Sequence, residues 1–165
     1  MMCELVEALK RNILPKCRAR RCTKERCKVP LNDAPSPHLV IDMDCSALGI
    51  PADSRRCDFL FVGCESTRGA GWVVPLELKS GSPSAADVVE QLQGGARFAE
   101  AQLPAQHKTR FLPVAVYGGK LHRAESERLK RPSNQVSFRG KKYEIKLMRC
   151  NTPLKDALSA FRARQ

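Results

Sequence analysis

The chain has 165 residues, a net charge of +12 and eight cysteines. That length fits one domain with one moderate core, and its longest apolar stretches fall far short of the roughly 20 residues that a membrane helix needs. The start, Met1-Met2-Cys3-Glu4-Leu5, lacks the basic-then-apolar order of a secretory signal, which argues for a reducing, cytoplasmic setting and for cysteines that are thiols or ligands rather than disulfides.

In chain order, residues 3–13 read as a short helix, with Leu5, Leu9 and Ile13 as its apolar stripe and Pro15 as its stop. Residues 16–28 are basic and cysteine-bearing, and a proline-rich connection follows, so this part is expected to be the least regular. Strands are predicted from His38 to Cys45, from Asp58 to Cys64 and from Trp72 to Lys79, with Gly63 and the segment Ser66 to Gly71 supplying a hairpin connection. The three make an antiparallel meander.

Ser84 with Asp87 three residues on marks a helix start, and Val88, Leu92, Ala96, Ala99 and Leu103 continue as a stripe that covers the sheet. Phe111 to Tyr117 is a fourth strand that returns to the same sheet. The basic stretch 120–134, with its Arg-Pro-Ser-Asn, is expected to hold a loop. Val136-Ser137-Phe138 and residues 142–147 flank Arg139-Gly140-Lys141 as a hairpin, and residues 153–161 close the chain as a helix. The fold class is therefore mixed α/β, in the order α-β-β-β-α-β from the helix at 3–13 onward, with its core at about residues 38–117, a basic cysteine-bearing segment, 16–28, before that core and a basic extension, 120–165, that appends the hairpin and the closing helix.

Asp58 opens one apolar run, and Glu77-Leu78-Lys79 closes the next. Side chains alternate along a strand, so Glu77 and Lys79 share one face while Leu76 and Leu78 turn to the other. If the two runs pair, Asp58 joins them. Two carboxylates and an ammonium then form a site for one or two hard divalent cations. Charge is distributed to match: residues 31–100 are net −5, while residues 1–30 are net +6 and residues 101–165 net +11. An acidic middle between basic ends suits a polyanion, because Lys and Arg neutralising phosphates supply most nonspecific nucleic-acid affinity.

This order, with the strings Arg56-Cys57-Asp58-Phe59 and Pro75-Leu76-Glu77-Leu78-Lys79-Ser80-Gly81 followed by Glu90-Gln91-Leu92, resembles the PD-(D/E)XK nuclease superfamily, with its restriction endonuclease-like αβββαβ core. The likeness covers residues 38–117 and looks closest to small bacterial members, more distantly to RecB-type nucleases and Holliday-junction resolvases. It implies a deoxyribonuclease in which Asp58, Glu77 and the Leu78 carbonyl hold Mg2+ or Mn2+, while Lys79 orients or deprotonates the attacking water. Gln91 would be a supporting glutamine, although Gly95 stands where RecB-like members have a tyrosine. Glu7 would be the acid that many members draw from the first helix. The alternative is a nucleic-acid-binding or protein-interaction module that keeps the fold without catalysis.

Arg139, Lys141 and Lys142 at the expected hairpin tip, with Arg20 and Arg21, are candidate phosphate contacts. With one Trp and two Tyr, base stacking on a single strand is disfavoured, so the expected partner is duplex or branched DNA. A homodimer would place two sites on two strands. Cys17, Cys22 and Cys27 recur every five residues and are candidates for a structural zinc or iron–sulfur site, with Cys3, Cys45, Cys57 or His38 as fourth ligand, but they lack the Cys-x-x-Cys spacing. His38, His107 and His122 are scattered and read as surface or strand-edge residues.

Overall fold

A computed structural model describes residues 2–65 and 70–163, the side chains of residues 162 and 163 excepted. Residues 66–69 of the expected hairpin connection therefore lie outside the described residues. Helix α1 (Glu4–Asn12) is followed by strands β1 (Arg18–Ala19), β2 (Cys22–Lys24) and β3 (Cys27–Val29). Next come β4 (His38–Asp42), β5 (Phe59–Cys64), β6 (Gly71–Lys79) and helix α2 (Ala85–Gln102). The remainder comprises β7 (Thr109–Phe111), β8 (Val114–Tyr117), α3 (Arg123–Leu129), β9 (Val136–Phe138), β10 (Lys141–Tyr143), β11 (Lys146–Arg149) and α4 (Leu154–Ala163).

The main sheet runs β1-β4-β5-β6-β8-β11, with β7 also against β6. Strands β4, β5 and β6 form the expected antiparallel meander. After the α2 crossover the chain returns parallel to β6, and β11 adds parallel to β8 at the edge, so the sheet is mixed. β5 and β6 are buried on both faces, which is why they read as unbroken apolar runs. One face packs Leu60, Val62 and Val73 against the stripes of α1 and α2. The other packs Phe61, Val74 and Leu76 against Val29 of β3 and Leu154 and Leu158 of α4.

Four local expectations are corrected. The basic segment 16–28 is not irregular: β1 pairs with β4, and β2 with β3 forms a hairpin closed by Glu25 and Arg26, with Glu25 at φ 53°. The fourth strand is interrupted at Leu112-Pro113, since proline has no N–H for the ladder; β7 and β8 keep a single register along β6 across the break. The 120–134 loop contains α3, held by Arg123–Glu127 and Arg128–Glu125 pairs at 3.0 and 2.8 Å and by buried Leu129. Finally, residues 142–147 are not one strand: β10 closes on β9 through Arg139-Gly140, both at positive φ, and β11 leaves for the main sheet.

Helix α2 starts at Ser84 as expected, but its side chain makes no cap bond. The Ala85 N–H donates instead to Glu125 Oε2 of α3 at 2.8 Å. A carboxylate at a helix N-terminus satisfies a free donor and suits the helix dipole.

Candidate metal centre at the end of the central strands

Phe59 pairs with Leu76, so Asp58, one residue earlier, falls beside Glu77 and Leu78 at the end of the meander. Its own N–H donates to Leu76 O at 3.1 Å, and the Met43 N–H donates to its carbonyl at 3.0 Å. The backbone is thus held on both sides. The carboxylate is buried, and its Oδ2 accepts the Leu78 N–H at 2.7 Å. Leu78 contributes its amide to the site through this bond, while its side chain joins Leu76 in the opposite core.

Glu77 lies on the α2 side of β6 and has no exposed surface. Neither carboxylate oxygen has a hydrogen-bond partner. No protein donor reaches them, but a protonated Glu77 can share its proton with the Asp58 carboxylate: burial, then this side-chain hydrogen bond and the charge of Asp58, push the Glu77 pKa from 4.5 up to about 9, with Lys79 and Lys24 pulling the other way. Gln91, on α2, also has a buried side-chain oxygen without a partner. Acceptors left bare in this way carry a large desolvation cost, and a cation is the kind of group that removes it. The ammonium of Lys79 makes no hydrogen bond or ion pair among the described residues, yet Glu77 feels its charge.

The pair that no local pattern signalled is Lys24 with Asp58. The Nζ of Lys24 lies 2.5 Å from Asp58 Oδ1, so Asp58 is bonded through both oxygens. Burial lowers the Lys24 pKa and its contacts with Asp58 raise it, with a net upward shift. Lys24 sits in a basic run with nothing to distinguish it from its neighbours, and 34 residues separate it from Asp58. Only the docking of the β2–β3 hairpin brings the two together.

That hairpin is tied down by one of three disulfides, which correct the reading of the cysteines. Cys3–Cys64, Cys17–Cys45 and Cys27–Cys150 are disulfides, and only Cys22 and Cys57 are free, both buried. Cys17 and Cys27 are thus taken by different partners, and Cys17, Cys22 and Cys27 do not form a ligand set. Among the described residues no group of three or more His, Cys, Asp and Glu side chains is arranged to hold a metal. His38, a suggested fourth ligand, sets Nδ1 against Pro35 O at 2.8 Å and its ring beside Phe61.

The other candidates are dispersed. Glu7 is half-buried, pairs with Lys10 at 3.4 Å and lines a groove with Gln102, Pro104 and His107; it makes no hydrogen bond or ion pair with Asp58, Glu77 or Lys79 among the described residues. Arg139 spends its guanidinium on the protein, donating to His107 O, Pro104 O and Thr109 Oγ1 at 2.6, 2.7 and 3.2 Å. It fastens the β9–β10 turn to the end of α2. Lys141, Lys142, Arg20 and Arg21 are exposed and have no ion-pair partner among the described residues.

Gly94 and Gly95 let α2 lie directly on the segment leading into Asp58. A Cβ on Gly94 would run into the Arg55 carbonyl, and one on Gly95 into Cys57 Sγ and, at 3.1 Å, Pro75 Cβ. There is no room for a tyrosine at position 95. No family model, no curated protein and no solved structure matches the chain. Among the described residues no helix is long and apolar enough to cross a membrane.

Proposed function

We propose that the chain is a Mg2+- or Mn2+-dependent nuclease of the PD-(D/E)XK type that hydrolyses DNA phosphodiester bonds. The observation that carries this reading is Glu77: a carboxylate with no exposed surface and two unpartnered oxygens, beside Asp58 and two residues from Lys79. The order of the central elements, three antiparallel strands, a helix and a parallel fourth strand, supports the same reading.

Asp58 and Glu77 would hold the metal, with the Leu78 N–H fixing the Asp58 carboxylate. A divalent cation, when bound, supplies Lewis-acid chemistry and a water that ionises near neutral pH. Lys79 holds positive charge on the Glu77 side of the strand, where it orients a water and offsets charge developing on phosphate. Gln91, whose buried side-chain oxygen has no partner, would serve as a water or ligand acceptor beside them. Exposed Arg20, Arg21, Lys141 and Lys142 neutralise the DNA backbone.

Plasmid and branched DNA are the substrates to test, with Mg2+ or Mn2+, beside Glu77→Gln and Lys79→Ala. Cleavage by the wild type and its loss in both variants is expected. Cleavage that survives both substitutions refutes the assignment. One observation favours a second reading, a DNA-binding module without catalysis: Lys24 already satisfies Asp58 from within the chain. DNA binding without cleavage under every metal would select it.

A further inference from the structure

The nuclease reading leaves Lys24 without a role, although it is the one cation bonded to Asp58, Glu77 or Lys79 among the described residues. The hairpin that carries it lies on the far face of the sheet from α2, with Cys22, Cys27 and Val29 in the α4-side core. It is anchored by the Cys27–Cys150 disulfide, by Asn151 N–H to Lys28 O at 2.8 Å and by Leu154 N–H to Pro30 O at 3.0 Å. At its tip Ser80 Oγ donates to Glu25 Oε2 at 2.7 Å, one residue past Lys79. The backbone of Lys24 is therefore fixed beside the strand end. Its side chain is 43% exposed, while the Asp58 side chain it meets is 5% exposed.

The ammonium is thus free to leave the pair without uncovering its own buried surface, while the carboxylate would then need another cation. The carboxylate is enclosed while the lysine that meets it is half-exposed, so the ammonium reaches Asp58 from the more exposed side of the pair. It occupies Asp58 Oδ1, the oxygen left after Leu78 takes Oδ2. A divalent cation drawn to Asp58 would stand close to the Lys24 ammonium on the same carboxylate, and two cations there repel. The four-carbon stem lets the ammonium move several ångströms from a fixed backbone. What then lies within its reach is the anionic ligand that the metal brings in.

We propose that Lys24 is a substrate-contacting residue of this site, holding the cation place on Asp58 in the metal-free protein and passing to a non-bridging phosphodiester oxygen when a divalent cation takes Asp58. The inference rests on the nuclease reading for the metal and the substrate class. It makes Lys24 a competitor of the metal and a partner of the DNA, two effects of opposite sign in one residue.

The test uses the full oxidised chain and two binding measurements that need no turnover. Calorimetric titration with Mn2+ is run on wild type, Lys24→Gln, Lys24→Arg and Glu77→Gln. Affinity of a short mixed-sequence DNA duplex is then measured by anisotropy with Ca2+ present. Lys24→Gln is expected to bind Mn2+ roughly tenfold more tightly than wild type and the duplex several-fold more weakly, and Lys24→Arg to retain the duplex affinity. Mn2+ affinity that is unchanged or weaker in Lys24→Gln, with Glu77→Gln abolishing binding, overturns the proposal and leaves the nuclease reading intact. Unchanged duplex affinity in Lys24→Gln overturns it equally. Absence of Mn2+ binding from both wild type and Lys24→Gln defeats the nuclease reading and this inference with it.

Discussion

Gly95 of α2 rests on the sulfur of Cys57, with Pro75 on its other side, so that no side chain fits between the helix and the segment that delivers Asp58. The helix, the strand β6 and the backbone that leads into Asp58 meet at this one contact. Gly95→Ala gains roughly 1 kcal/mol of helix propensity but forces a shift in a packed core that costs about 1–3 kcal/mol. Denaturant unfolding is expected to show a net loss of stability, and Mn2+ titration a weaker site, because the displaced segment carries Asp58. A variant as stable as wild type with unaltered Mn2+ binding would refute the tight-contact account.

Metal-free stability should depend on the charge of Glu77. Its pKa is near 4.5 in an unfolded chain and about 9 here, so between those values the folded state holds a proton that the unfolded state has lost. Stability is then full below the lower value and declines as pH rises toward the upper one. Urea unfolding in chelator from pH 5 to 9 is expected to show this decline in wild type and a flatter profile in Glu77→Gln. Divalent cation should reverse the trend, since it competes with the proton, and its binding should release protons into a weakly buffered solution.

Cys22 and Cys57 should resist thiol reagents in the native protein. Burial pushes the Cys22 thiol up to about 12 and Cys57 well above its ordinary value. Ellman's reagent at pH 8 is expected to find no fast-reacting thiol in the folded chain. After unfolding without reductant it should find the two free cysteines, and after reduction all eight. A reactive thiol in the folded state would mean that the disulfide pairing differs.

The Cys27–Cys150 bond closes a separation of 123 residues and holds the hairpin against the end of β11. Replacing both cysteines with serine is expected to lower stability by about 2–4 kcal/mol. Limited trypsin digestion offers the local readout: cleavage near Lys24 and Arg26 should accelerate in the double variant, ahead of cleavage in the central strands.

Arg139 and Lys142 sit three residues apart on the same hairpin and should behave oppositely. Arg139→Ala removes charged donors from three acceptors and is expected to lose about 2 kcal/mol of stability with little change in the salt dependence of DNA binding. Lys141→Gln with Lys142→Gln should leave stability intact and reduce the slope of log affinity against log salt by about 2. Equal effects of the two variants on DNA binding would show that the hairpin contacts DNA through Arg139 as well.

The outline of the sheet was legible because burial writes directly into sequence. β5 and β6 are buried on both faces and read as apolar runs, and the α2 stripe of Val88, Leu92, Ala96 and Ala99 is buried as expected. Alternation along β6 likewise put Glu77 and Lys79 on one face and Leu76 and Leu78 on the other before any pairing was known. Short elements were less legible. β1, β2 and β3 have two or three residues each, too few to establish a period, and α3 hides in a charged stretch with Leu129 as its buried residue.

By itself, then, the sequence determined the long central strands, their alternation and the placing of Glu77 and Lys79 on one face, since each depends on neighbours a few residues away. Tertiary structure alone decided the cysteine pairing, the close seating of α2 on Cys57 and the arrival of Lys24 at Asp58. Each of these depends on which surfaces come together over separations of 28 to 123 residues, and no local period encodes that distance.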